Sequence, residues 1–297
     1  MTKLIEKLKP KEDSFLEVFK YKDLLFELVA MNIKLKYRRS FLGYVWSILN
    51  PLLIMTIMTV VFSFLFKRGL EYFPIYLLAG RTVFEFVNQA TSKSINSITE
   101  NTTLLKKTHV SKFIFPLANV TATMIDFIFS LGALIIVMLI LSIFHGKCLF
   151  SLLNFGFIIT IFQTYLFALG LGFLLSSLHV FFRDIRYIYN AFITMILYCS
   201  AIFYDVGMFY EKGHAQALAG GVPYASYLAL IIEHFNPIYI YMKQFRYFVW
   251  TPTLETIPTW AAVNTGDFVL GFVYAIIMLV IGIHFFKKKQ DKFILYI

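Results

Sequence analysis

Residues 117–144 read LANVTATMIDFIFSLGALIIVMLILSIF, and from Leu131 to Phe144 the run is apolar on every face a helix could present. Such a segment has no polar stripe to turn toward water, so it is not the amphipathic helix of a soluble protein. A bilayer core about 30 Å thick is crossed by about 20 apolar residues of α-helix. A membrane β-strand would show about ten residues of alternating character, and this run does not alternate. It reads as a membrane-spanning helix whose one charged residue is Asp126.

Five further stretches meet the same length: 45–66, 75–97, 153–178, 188–206 and 267–286. The first and the 153–178 stretch carry no charge, and Pro51 is tolerable where neighbouring helices can satisfy a freed carbonyl. Composition agrees. The chain is 59% hydrophobic and 15% charged, whereas soluble domains hold about 45–50% apolar and about 25% charged residues. Mean hydropathy is +0.73. The expected fold is all-α and polytopic, with six spans in one membrane domain over residues 44–297.

Residues 1–43 read as a cytoplasmic segment. Within it, SFLEVFKYKDLLFELVAMNIKLKYRR (14–39) places Phe15, Phe19, Leu24, Leu25, Leu28 and Met31 near helical spacing against a basic face, which predicts an interfacial amphipathic helix. Before the last span, residues 207–266 hold Pro223, Pro237, Pro252 and Pro258 between apolar runs too short to span, such as YASYLALII (224–232). Short re-entrant or interfacial helices on the external side are expected there.

Charge placement orients the chain. With the N-terminus inside, nineteen basic residues fall on the cytoplasmic side: ten before Gly43, then Lys106, Lys107, Lys112, Arg183, Arg186, Lys287, Lys288, Lys289 and Lys292. Six fall outside: Lys67, Arg68, Lys147, Lys212, Lys243 and Arg246. That bias follows the positive-inside rule and puts both termini in the cytoplasm. It also accounts for the net charge of +10 without nucleic acid, through an anionic leaflet or a cytoplasmic partner. The first 20 residues lack an apolar signal core, so span one is expected to serve as the targeting signal.

Catalytic and metal-binding patterns are missing. There is no G-x-x-x-x-G-K-[ST] phosphate loop and no H-E-x-x-H, the six histidines are scattered, and Cys148 and Cys199 make no framework. Neither an enzyme nor a metal site is expected. Within the spans, Arg81 and Glu85 stand at i and i+4 on one helical face and are expected to form an intramembrane charge pair, with Lys93 two turns on. Aromatic residues make up 19% of the chain. Tyr and Trp are ordinary at membrane interfaces, but rings also stack on the C–H faces of sugars. Tyr44, Trp46, Tyr198, Phe203 and Tyr204, near opposite ends of spans one and five, are candidates for lining a pathway. The adjacent Arg183 and Asp184 do not face each other on one helix, so each is expected to meet a partner elsewhere.

YRRSFLGYVWSILNPLL (37–53) carries Tyr37, Ser40, Leu42, Gly43, Trp46, Leu49 and Pro51 in the register Y-x-x-S-x-L-G-x-x-W-x-x-L-x-P. It resembles the entry into the first span of type-2 ABC exporter permeases for polysaccharides and polyol phosphates. LLAGRTVFEF, SITENTTLLKKTHVSKFIFPL and FFRDIRYI resemble further blocks of that family in the same order, and Asn236-Pro237 matches a pair met in its external region. Phe84 stands where the family more often has Trp, and Arg81–Glu85 is an unusual polar insertion. The resemblance implies a homodimeric permease in a bacterial cytoplasmic membrane, working with two copies of a separate ATPase. The partner would bind ATP and Mg; this chain would hold no cofactor. The cargo would be a lipid-linked glycan such as O-antigen, capsule or teichoic acid. A drug or lipid cargo is the alternative, and a membrane-embedded transferase a more distant one. By the same resemblance Tyr37, Arg38, Arg39, Asn101, Leu104, Leu105, Lys106, Lys107, His109, Arg183 and Asp184 would contact the ATPase. Leu42 and Gly43 would form the turn at the cytoplasmic entrance, where glycine suits a tight reversal.

Overall fold

A computed structural model describes residues 18, 20–37, 41–65, 70–108 and 110–296. Among these the fold is helical, without a strand. The chain runs through α1 (Lys22–Tyr37), α2 (Trp46–Leu65), α3 (Phe73–Glu100), α4 (Thr102–Lys107), α5 (Ile114–His145), α6 (Phe157–Phe181) and α7 (Ile185–Cys199). It continues through α8 (Gly207–Leu218), α9 (Tyr224–Phe235), α10 (Pro237–Val249), α11 (Thr265–Lys289) and α12 (Phe293–Tyr296).

Among the described residues, four stretches are long and apolar enough to cross a membrane: Gly43–Phe62, Ile114–His145, Leu152–Phe181 and Thr265–Tyr296. The stretch expected at 75–97 is a helix of 28 residues, long enough, but it carries Arg81, Glu85, Lys93 and Glu100. The fifth expected span differs more. α7 has 15 residues, or about 22 Å at 1.5 Å per residue, and stops at Cys199 rather than 206. Just beyond it Ala201 takes a positive φ of 49°, and the carbonyls of residues 201, 202 and 204 turn inward to accept side-chain hydrogen bonds.

α3, α5, α6 and α11 form the centre of the bundle, with α10 packed beside α3 and α6. The α6–α11 contact is closed by glycines. A Cβ on Gly282 would lie 2.0 Å from the Gly170 carbonyl oxygen, and one on Gly170 would lie 2.5 Å from the Leu279 backbone. This is the small-residue packing by which membrane helices approach closely. α1 lies against α5 with Leu28 and Val29 buried, while Met31 is exposed; Phe15 and Phe19 lie outside the described residues. α2 and α7 leave Leu53, Ile57, Val60, Ile188, Phe192 and Met195 exposed.

Candidate functional site

α3 carries Arg81, Glu85 and Gln89 four residues apart, a spacing that stacks them on one helical face. That face opens on a cavity of about 230 Å³, closed by Trp46, Ser47 and Asn50 of α2, Asp126 and Ser130 of α5, and Lys36 of α1. Polar groups gathered between apolar helices are costly unless they meet one another or water. Glu85 accepts a hydrogen bond from Gln89 Nε2 at 3.0 Å. Arg81 and Glu85 line the same cavity, but the ion pairs within 4.0 Å found among the described residues do not join them.

Asp126 sits in an arrangement that pairwise spacing did not reveal. Its carboxylate meets Lys36 Nζ at 2.8 Å and Lys93 Nζ at 3.2 Å. Beside it Asn32 donates to Asn119 Oδ1 at 2.7 Å, and Asn119 donates to the Lys93 carbonyl at 3.0 Å. Asn32 and Lys36 are one turn apart on α1, so a single polar edge of that helix is tied to α3 and α5. Lys93 and Asp126 are legible as in-span charges, but their convergence with α1 depends on how three helices cross.

The entry turn behaves as its glycine suggests: Gly43 has φ +49°, the left-handed region that disfavours a side chain. Leu42, Tyr44 and Trp46 are exposed there. Trp46 lines the cavity and Tyr44 stacks on Phe129 at 6.2 Å. Tyr198, Phe203 and Tyr204 gather near the other end of α2. Phe203 is buried and stacks on Phe62 at 5.2 Å, and Tyr204 donates to the Tyr198 carbonyl at 2.7 Å. The two aromatic groups therefore form separate clusters.

Asn101 donates to the Ser97 carbonyl at 2.8 Å and ends α3. In α4 Leu105 is buried, while Lys106 and Lys107 are exposed. Arg183 and Asp184 are exposed in the turn between α6 and α7. Arg183 shares a cleft of about 520 Å³ with Thr102, Glu100, His179, Arg186 and Tyr296. Two of the three expected partner-contacting segments thus meet at one surface. Leu104 is half-buried in α4, whereas His109 and, in the third segment, Arg38, Arg39 and the Tyr37 side chain lie outside the described residues.

The other strong feature is Arg246 of α10, 5% exposed. Its Nε donates to the Tyr76 carbonyl at 3.1 Å, Nη1 to Ala201 at 3.0 Å and Nη2 to Ile202 at 3.1 Å. The guanidinium also lies 3.6 Å from the centre of the Tyr76 ring, a cation–π distance. Tyr76 in turn donates to the Tyr204 carbonyl at 2.7 Å, and Trp250 Nε1 donates to the Glu71 backbone carbonyl at 2.9 Å. Nothing in the one-dimensional spacing distinguishes Arg246 from the other basic residues expected outside.

Long apolar helices around an internal polar cavity, with basic turns exposed at one end, define a multi-pass membrane protein of the transporter kind. The chain belongs to the ABC-2 type transporter family, whose model matches residues 23–235. It is similar to an O-antigen export system permease protein of Myxococcus xanthus, 25% identical over 226 residues that cover 74% of this chain and 85% of the relative. Two Klebsiella pneumoniae proteins of the same description are 25% and 27% identical over 190 residues, covering 64% of this chain and 72% of each relative.

Proposed function

We propose that the chain is the permease subunit of an ATP-driven exporter that moves a lipid-linked surface polysaccharide out through the bacterial cytoplasmic membrane. The observation that carries this reading is the polar face Arg81–Glu85–Gln89, set among spans and opening on the cavity that Trp46 lines. The polysaccharide cargo follows the described relatives. In this reading α2, α3, α5, α6, α7 and α11 are the six spans and both termini are cytoplasmic. α1 lies in the interface, and α8–α10 form an external cap of which α10 dips into the bilayer. The uncovered apolar faces of α2 and α7 meet a second copy, and the pathway runs between the copies past Leu42, Gly43, Tyr44 and Trp46, then Tyr198, Phe203 and Tyr204.

Two copies of a separate phosphate-loop ATPase, binding ATP and Mg, dock on α4, the Arg183–Asp184 turn and Tyr37, Arg38 and Arg39 at the end of α1. Their two nucleotide states shift the permease only through unequal contacts with it. The Lys36–Asp126–Lys93 junction passes that shift from α1 to α3 and α5. Depleting the chain is expected to leave finished glycan in the cytoplasm, and the tagged chain is expected to co-purify with an ATPase. Normal surface glycan after depletion would overturn the cargo; a stable, active complex without an ATPase would overturn the class.

A further inference from the structure

On the side away from the cytoplasmic turns, α8, α9, α10 and the segment 259–264 enclose a cavity of about 550 Å³. Its walls include Tyr210, Glu211, Glu233, Lys243, Trp260 and Asn264. This lies within the size range of small-ligand sites, and it is separate from the cavity between α2, α3 and α5.

The aromatic wall is fixed. Trp260 stacks on Trp250 at 5.8 Å and 25°, and meets Tyr76 edge-on at 6.2 Å. Gly207 starts α8 against the same indole; a Cβ there would stand 2.5 Å from Trp260 Cδ1. The polar wall divides into committed and free groups. Lys243 is held between Asp267 at 3.4 Å and Glu233 at 4.0 Å. Tyr210 donates to Glu233 at 2.5 Å, and burial together with that carboxylate pushes its phenol up, so it stays protonated and remains a donor. Asn264 uses its Oδ1 to cap α11, and among the described residues its Nδ2 protons have no acceptor. Glu211 is exposed, and no hydrogen bond or ion pair among the described residues engages it.

A ligand here meets a rigid aromatic surface, carboxylate acceptors and an amide donor. Glu211, Glu233 and Asp267 outnumber Lys243, so the local charge is negative and a phosphate or uronate would be repelled. A sugar ring without an acidic group has the matching surfaces: apolar C–H faces for the indole and hydroxyls that donate to carboxylates in charge-assisted bonds.

We propose that this cavity is an external binding site for an uncharged or amine-bearing sugar unit. That the site meets the glycan as it emerges rests on the export reading; its sugar chemistry does not. The test uses the full chain in nanodiscs and saturation-transfer NMR with mannose, N-acetylglucosamine, galactosamine, glucuronic acid and glucose 6-phosphate. Transfer to one or more of the first three and to neither acid is expected, with Glu211→Gln weakening it at least tenfold. Because Glu211 is exposed and has no hydrogen bond or ion pair among the described residues, that variant keeps its fold. Trp260→Phe is expected to lower transfer further while leaving the melting profile of the bundle recognisable.

No transfer to any of the three non-acidic sugars, equal transfer to the acids, or wild-type transfer in Glu211→Gln would each overturn the site. Surface glycan is measured on the same cells. Export without sugar transfer would remove the site and keep the permease reading, and sugar transfer without export would do the reverse.

Discussion

Where α1 meets the bundle, Asp126 stands between two lysines; where α10 meets it, Arg246 stands among three carbonyls and a tyrosine ring. Both are charges drawn out of water, and the surroundings differ in kind. The lysines at Asp126 keep 37% and 40% of their side-chain exposure, so their charges remain partly solvated and the pairs are easily exchanged. Arg246 is enclosed, and its acceptors are backbone groups fixed by the helices that carry them. An ionic contact of the first kind can be exchanged when a helix shifts, while a charge locked to backbone carbonyls holds its helices in one arrangement. The molecule has built one of each.

The largest effect is expected at the rigid pole. Arg246→Leu leaves the carbonyls of Tyr76, Ala201 and Ile202 without their donor. Hydrogen bonds to a charged group are worth about 1.5–3 kcal/mol each, so a loss of about 3 kcal/mol or more is expected, read as a lower melting temperature in detergent. Arg246→Lys should recover less than half, because an ammonium cannot reproduce the planar fork that reaches three carbonyls. Full recovery by lysine would mean that charge alone matters there, and the contrast with Asp126 would collapse.

Next in size is Gly80→Ala on α3. A Cβ at that position would lie 2.3 Å from Arg246 Nη2, so the guanidinium must leave one of its carbonyls or the helices must part. Overpacking of this kind costs about 1–3 kcal/mol. The melting shift should largely vanish in an Arg246→Leu background, since the two changes damage the same contact. Additive shifts would show that Gly80 serves some other packing.

At the adjustable pole the expected stability loss is smaller. Asp126→Asn removes the acid shared by Lys36 and Lys93, and with both lysines partly solvated the cost should be about 1 kcal/mol. Its consequence should be local. Amide exchange should speed up across Lys22–Tyr37 while α3 and α6 keep their protection, because only α1 depends on that tether. Unchanged exchange in α1 would make the junction ornamental and remove it from any coupling role.

Much of the fold is legible in the sequence because a membrane span is a property of a single segment. The 131–144 run has no polar face, and its helix needs no partner to be recognised. The entry glycine is legible for the same reason, since Gly43 meets a local backbone demand at φ +49°. The second and fifth spans were harder, and for opposite reasons. α3 is long but polar on the face that lines the cavity, whereas α7 is apolar but ends early, where residues 201, 202 and 204 give their carbonyls to Arg246 and Tyr76. Asp126 and Arg246 were visible as charges, but their partners lie 90, 33, 170 and 45 residues away in the chain for Lys36, Lys93, Tyr76 and Ala201. No periodicity within one helix encodes such meetings; they follow from how helices cross.

The smallest expected effect comes from a third charged contact, and it calibrates the other two. Lys147 and Glu255 meet at 2.5 Å, closer than either pair at Asp126, yet both side chains are well exposed. Lys147 holds the Glu255 carboxyl below its ordinary range, and Glu255 holds the lysine above its own. The depressed acid would add stability above its unfolded-state pKa and lose it as pH falls through the lower folded value. The raised lysine would add stability below its ordinary pKa and lose it as pH rises through the folded value. Near neutral pH both contributions are fully present, so this is where the pair has its best chance of being seen. Water and salt screen fully exposed charges, however, and many surface ion pairs contribute nothing measurable. Glu255→Gln at neutral pH is therefore expected to leave the melting temperature unchanged at low and at high salt. A salt-sensitive drop would mean that proximity, rather than burial and the nature of the acceptor, ranks the charged contacts of this protein.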